Sequence, residues 1–96
     1  MEYLAFIHDN TDTTPSAQEW QAFIAEASAS GLFLGGSELG RRFPLGAKAV
    51  HDSTDVIAGF MKFEADEPQE LLELLQSHPV IRHDGTIELR EMPLSS

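Results

Sequence analysis

Apolar and polar positions alternate along this chain in blocks, and the changes of period mark its elements. Residues 3–8, Tyr-Leu-Ala-Phe-Ile-His, form a short apolar and aromatic run closed by Asp9-Asn10. That is the pattern of a strand with buried positions on both faces. Residues 9–15 are turn formers ending in Pro15. Ser16-Ala17-Gln18-Glu19 has the form of a capping box, in which the serine side chain meets the third amide and the glutamate reaches back to the cap amide. Behind it Ala17, Trp20, Phe23, Ile24 and Ala27 recur at helical spacing. Gly31 is the natural stop. A helix is predicted over 16–29, with Trp20, Phe23 and Ile24 in the core.

Leu32-Phe33-Leu34 starts a second strand, which Gly35-Gly36 ends or bulges. From Ser37 to Asp55 no period persists, and the stretch reads as a long loop with an extended piece at 47–51. Long loops inside compact domains are often functional. Residues 56–64 are a third strand. Asp66-Glu67-Pro68-Gln69 opens a second helix with acids in its first turn and a proline tolerated there. Leu71, Leu72, Leu74 and Leu75 give this helix an apolar face, and His78-Pro79 ends it. Asp84-Gly85 is a turn, and residues 86–91 alternate as a fourth strand. The order β-α-β-β-α-β predicts one α+β domain over 1–96. Its most economical packing is a ferredoxin-like sandwich, a four-stranded antiparallel sheet with two helices on one face.

The period-2 alternation gives that sheet two unlike faces. Ile57, Met61 and Phe63, around Gly59, belong under the helices with Ile87 and Leu89. The other face shows Phe60 among Lys62, Glu88 and Arg90, with either Leu4, Phe6 and His8 or Tyr3, Ala5 and Ile7 from the first strand. Large apolar groups left in water cost about 25 cal/mol per Å², so burial against a second copy, a homodimer through the open face, is expected. Lys62, Glu88 and Arg90 there read either as an inter-strand salt-bridge ladder or as a pocket whose cation holds a small acid or phenolate.

Composition narrows the function classes. The 96 residues contain no Cys, which excludes disulfides, thiolate metal sites and a cysteine nucleophile. Six Lys and Arg against 16 Asp and Glu give a net charge of −10, so nucleic acid and anionic membrane are poor partners. No apolar run has the length of a membrane span. The first residues lack a signal peptide's basic flank, and a cytoplasmic location is expected. No serine-nucleophile signature, phosphate-binding glycine loop or dinucleotide fingerprint is present, and no cofactor is expected.

Ile57-Ala58-Gly59-Phe60, then Phe63-Glu64-Ala65, an amphipathic helix, His78-Pro79, and Arg82-His83-Asp84-Gly85-Thr86-Ile87-Glu88-Leu89-Arg90 resemble the YCII-related family, especially its DGPF-domain branch. The N-terminal strand, the helix and Gly35-Gly36 also fit. The Asp-Gly-Pro-Phe tetrapeptide itself is absent, and residues 16–29 hold no histidine, so the family's proposed His–Asp site does not carry over intact. The resemblance implies a dimeric α+β barrel with a pocket between sheet and loops, and no settled activity.

Three of the four histidines precede an aspartate: His8-Asp9, His51-Asp52 and His83-Asp84. A histidine beside a carboxylate is a plausible general base, but neighbours in an extended chain point apart. A dyad therefore needs its acid from another segment. His51 and Asp52, in the irregular loop, and His83, at a family position, are the candidate catalytic residues. Arg42, Phe60, Lys62, Glu88 and Arg90 are the candidate ligand-binding residues, and no spacing supports a metal site. Three functions stay open. One is a cofactor-free acid–base enzyme acting on a small hydroxy or aromatic compound. The others are a non-catalytic ligand-binding dimer and a protein-interaction domain.

Overall fold

The computed structural model describes residues 1–49 and 52–93. Its elements run β1 (Glu2–His8), α1 (Ala17–Ser30), β2 (Phe33–Glu38), a 3₁₀ turn (Asp52–Val56), β3 (Ile57–Glu64), α2 (Pro68–Leu75), α3 (Pro79–Arg82) and β4 (Ile87–Met92). The strands form one four-stranded sheet in the order β2-β3-β1-β4, with every neighbouring pair antiparallel. This is the ferredoxin-like α+β arrangement that the element order predicts.

β1 is central, and its register decides the faces. Tyr3, Ala5 and Ile7 are the buried set, paired with Phe63, Met61 and Gly59 on one side and Glu91, Leu89 and Ile87 on the other. They form the core with Phe23 and Ala27 of α1, Leu71 and Leu75 of α2, and Val80 of α3. Phe23, Phe63 and Leu71 are fully buried, and each such side chain contributes about 1.5–3 kcal/mol of transfer free energy. Leu4, Phe6 and His8 take the open face, where Phe6 lies between Phe60 and Glu88. Ile57, expected in the core, sits instead at a bulge between Ile7 and His8 and is only half-buried.

The caps hold as their chemistry requires. Ser16 Oγ accepts from the Glu19 amide at 3.1 Å, and Glu19 Oε1 accepts from the Ser16 amide at 3.1 Å. Gly31 closes α1 with φ 76°, a left-handed conformation that costs a residue with a Cβ. Gly35 bulges β2 without ending it, and the strand resumes to Glu38. Residues 46–48 bend and 49 is unpaired, so the described part of the expected extended piece is not a strand; residues 50–51 lie outside the described residues.

The second helical stretch is split. Pro79 starts α3, and the residue before a proline avoids the helical region, so His78 sits extended at φ −64°, ψ 136°. Its ring is fully buried and caps α3, with Nδ1 accepting from the Val80 amide at 3.0 Å. The proton therefore resides on Nε2, which has no hydrogen-bond partner. Trp20 meets the ring edge-on at 4.9 Å and Phe23 packs at 4.6 Å between centroids. Burial pulls the His78 pKa from 6.5 to about 4, so the folded protein holds it neutral while the unfolded chain takes up a proton below 6.5. Stability from this residue is intact above 6.5 and declines as pH falls toward about 4, by about 3 kcal/mol in all. His78→Asn keeps a capping side chain and removes the titration. Urea unfolding should show the variant less stable at neutral pH and the gap to wild type closing as pH falls. A gap constant with pH contradicts this.

Candidate functional site

The loop from His8 to Ser16 returns the chain from the sheet to α1, and it is stitched to the turn between α3 and β4. Asn10 does this twice: its Oδ1 accepts the Thr86 amide at 2.9 Å and its Nδ2 donates to Thr86 Oγ1 at 3.0 Å. The Asp12 amide donates to the His83 carbonyl at 2.9 Å. Gly85 makes the approach possible, since a Cβ there would lie 2.7 Å from Val80 Cγ1 and 2.9 Å from Thr11 Cγ2.

This stitching puts His83 between two side chains from the other end of the sequence. His83 Nε2 lies 2.7 Å from Glu19 Oε2, and Nδ1 lies 2.6 Å from Thr13 Oγ1. Glu19 is already held by the capping box through its other oxygen. The Ser16 amide and then the His83 ring hold its pKa below the ordinary carboxylate value. An ionised carboxylate only accepts, so Nε2 carries a proton toward Glu19, and in the neutral ring Nδ1 accepts from the Thr13 hydroxyl. The result is a carboxylate, an imidazole and a hydroxyl in one row. The imidazole is mostly enclosed, at 18% side-chain exposure, whereas Thr13 is exposed.

Beside the row opens a cleft of about 630 Å³ between α1, the β1–α1 loop and the β2–β3 pair. Trp20 and Ile24 of α1, Phe33 of β2 and Met61 of β3 line it. Gly36 and Gly59 also line it, and they allow β2 and β3 to approach closely, since a Cβ on Gly36 would run into the Phe60 carbonyl oxygen and one on Gly59 would lie 3.0 Å from the Ser37 carbonyl oxygen. Thr11 and Thr14, from the same loop as Thr13, add hydroxyls, and Asp9 and Glu38 add carboxylates. Among the described residues no Lys or Arg lines the cleft. An apolar, aromatic-walled cavity with a few polar groups is the usual form of a small-molecule site.

The candidate residues read from sequence fall in separate places. His51 lies outside the described residues, and Asp52 is exposed at the start of the 3₁₀ turn. His83 closes α3 in the row just described. Arg42 reaches Asp55 Oδ1 at 3.2 Å and Thr54 Oγ1 at 2.9 Å. On the open face Lys62 pairs with Glu2 at 2.9 Å and Arg90 approaches Glu88 at 3.8 Å. The ladder of Lys62, Glu88 and Arg90 is thus two separate pairs. Among the described candidates Phe60 alone also lines the cleft. Trp20 and Ile24, both expected in the core with Phe23, line the cleft instead, Trp20 half-buried and Ile24 exposed. Among the described residues no group of three or more His, Asp or Glu is placed to hold a metal ion, and no helix is long and apolar enough to cross a membrane.

Sequence reading missed Thr13 and the second role of Glu19. The capping box did mark Glu19 as a fixed carboxylate, and only one of its oxygens is used there. Glu19→Gln should lower Tm at neutral pH. A lowered carboxylate pKa contributes stability present above the unfolded value and lost as pH falls through the folded one, so the variant and wild type should converge in acid. A Tm difference that persists unchanged there contradicts the ionised pairing.

No family model matches the chain, and neither does any curated protein. Among solved structures it is similar to the 5-chloro-2-hydroxyhydroquinone dehydrochlorinase of Burkholderia phenoliruptrix AC1100, in complex with 2,5-dihydroxybenzoquinone. The two share 16% identity and a TM-score of 0.59, over 99% of this chain and 96% of that one. At that identity the likeness is one of fold.

Proposed function

We propose that this chain is a YCII-like small-molecule-binding protein whose ligand occupies the cleft between α1 and β2–β3. The observation that carries the reading is the cleft itself, about 630 Å³ with Trp20, Ile24, Phe33 and Met61 on its walls. Such walls suit a small aromatic compound, and the polar groups of Thr11, Thr14 and Asp9 suit hydroxyls on it. The fold neighbour's dihydroxybenzoquinone complex supports that choice of class. The row of Glu19, His83 and Thr13 favours cofactor-free acid–base chemistry on a small hydroxy compound over binding alone. His83 lies outside the cleft's lining, and a hydroxyl that reaches it past Thr14 and displaces Thr13 from Nδ1 meets a base already oriented by its carboxylate. Binding without catalysis, or service as a protein-interaction domain, is the alternative.

A second copy on the open sheet face belongs to the same reading. Leu4, Phe6 and Phe60 are half-buried there, flanked by the Lys62–Glu2 and Arg90–Glu88 pairs. A two-fold axis through this face stacks apolar on apolar and sets charges of both signs opposite one another. Light scattering should give a dimer for wild type and a monomer for Phe60→Glu. A wild-type monomer at micromolar concentration removes this part of the proposal.

The ligand site is tested with catechol, hydroquinone and 2,5-dihydroxybenzoquinone by thermal shift. A compound at ten times its Kd stabilises by about 1.4 kcal/mol, roughly 5–10 °C in Tm for a domain of this size. Ile24→Trp, on the partly exposed side of α1, should fill the cleft and abolish the shift while leaving the fold intact. A shift of equal size in Ile24→Trp places the ligand elsewhere and overturns the reading. So does the absence of any shift.

A further inference from the structure

Thr13, His83 and Glu19 form a more complete constellation than a general base needs. The base has a hydroxyl at 2.6 Å on one nitrogen and a carboxylate at 2.7 Å on the other. The carboxylate is anchored by the Ser16 amide. The imidazole's own backbone is anchored by the Asp12 amide, and Asp12 is the chain neighbour of Thr13. Hydroxyl and base are therefore held in register by two independent ties, one through side chains and one through backbone. The hydroxyl is at the surface, and the next two residues, Thr14 and Pro15, line the cleft. A nucleophile, its base and an orienting acid within hydrogen-bond reach of one another are the signature of an activated hydroxyl.

We propose that Thr13 is a nucleophile activated by His83, with Glu19 as the positioning residue, and that the chain carries out acyl transfer from small uncharged esters. The inference rests on the same His83–Glu19 base as the acid–base reading and adds the reacting atom. Thr13 Oγ1 adds to the ester carbonyl carbon as its proton passes to His83 Nδ1, and the carbonyl electron pair moves to oxygen. The tetrahedral adduct then re-forms the carbonyl and expels the alkoxide or phenoxide, which takes the proton from Nδ1. Acyl-Thr13 remains. Water, deprotonated by the same nitrogen, adds to it and releases the carboxylic acid, restoring the hydroxyl. The Glu19 carboxylate stabilises the imidazolium formed in both halves. The net charge of −10 and the carboxylates of Asp9 and Glu38 at the cleft favour uncharged over anionic acyl donors.

The test is p-nitrophenyl acetate with the full chain, following nitrophenolate release and mapping the acetylated residue by peptide mass spectrometry. The expected result is acetyl on the peptide carrying Thr13. Thr13→Val should abolish this adduct, and Thr13→Ser, which keeps the hydroxyl and removes the hindering methyl, should restore or exceed the wild-type rate. Positioned bases contribute 10²–10⁴-fold, so His83→Gln and Glu19→Gln should each slow acylation by about tenfold or more. Glu19→Gln, which acts through the ring and not on the ester, should lower kcat and leave KM unchanged. Acetyl mapped to another residue, or nitrophenolate release unchanged in Thr13→Val, overturns the proposal. The mapped wild-type adduct decides the matter even where a variant fails to fold. Binding of the hydroxy-aromatic panel without acylation overturns this inference and leaves the cleft reading standing.

Discussion

The imidazole of His83 is held at both nitrogens, and the arrangement of the cleft depends on that. The β1–α1 loop has no secondary structure of its own. Its path is set by Thr13 on Nδ1, by the Asp12 amide on the His83 carbonyl, and by Asn10 on Thr86. Glu19 ties the start of α1 to the same ring. The loop and the first turns of α1 supply much of one wall of the cleft, including Thr11, Thr14 and Trp20. A contact between residues 70 positions apart therefore fixes the shape of a cavity that neither of them lines.

The sheet explains why the cavity lies where it does. The odd residues of β1 turn inward because they pair with the inward residues of both neighbours, and three helices close over them. α1 leaves part of β2 and β3 uncovered, and the cleft opens there between Trp20 and Ile24 on one side and Phe33 and Met61 on the other. The opposite face has no helix and carries the charged pairs instead. Phe60 of β3 belongs to the open face by its register and also reaches the rim of the cleft.

Much of the fold is legible in the chain. The apolar alternation of β3 and β4, the capping box at Ser16 and the Gly31 stop each report a local physical requirement, and local requirements can be read along a sequence. What fails is instructive in the same terms. For β2 the glycines leave an end and a bulge equally open, and the structure takes the bulge, because pairing with β3 and not the residue itself decides. His78-Pro79 looked like an end and is also a beginning, with the histidine buried as a cap. The site is least legible of all. His83 is found beside a carboxylate from another segment, as the geometry of extended neighbours requires, but nothing local says that the segment is α1 or that Thr13 completes the row. The resemblance to the YCII-related family pointed to the fold and to the position of His83, and it did not point to Glu19 or Thr13.

The pairing of the His83 ring ties the β1–α1 loop and the start of α1 together, and nitrogen-15 NMR reads that pairing directly. Long-range proton–nitrogen correlation of the histidine rings at neutral pH should show His83 locked as the Nε2–H tautomer. The Nε2 proton should be shifted downfield by the Glu19 carboxylate and Nδ1 should carry the shift of an acceptor. A ring averaging between tautomers, or one protonated on Nδ1 alone, would contradict the row of carboxylate, imidazole and hydroxyl that holds the β1–α1 loop.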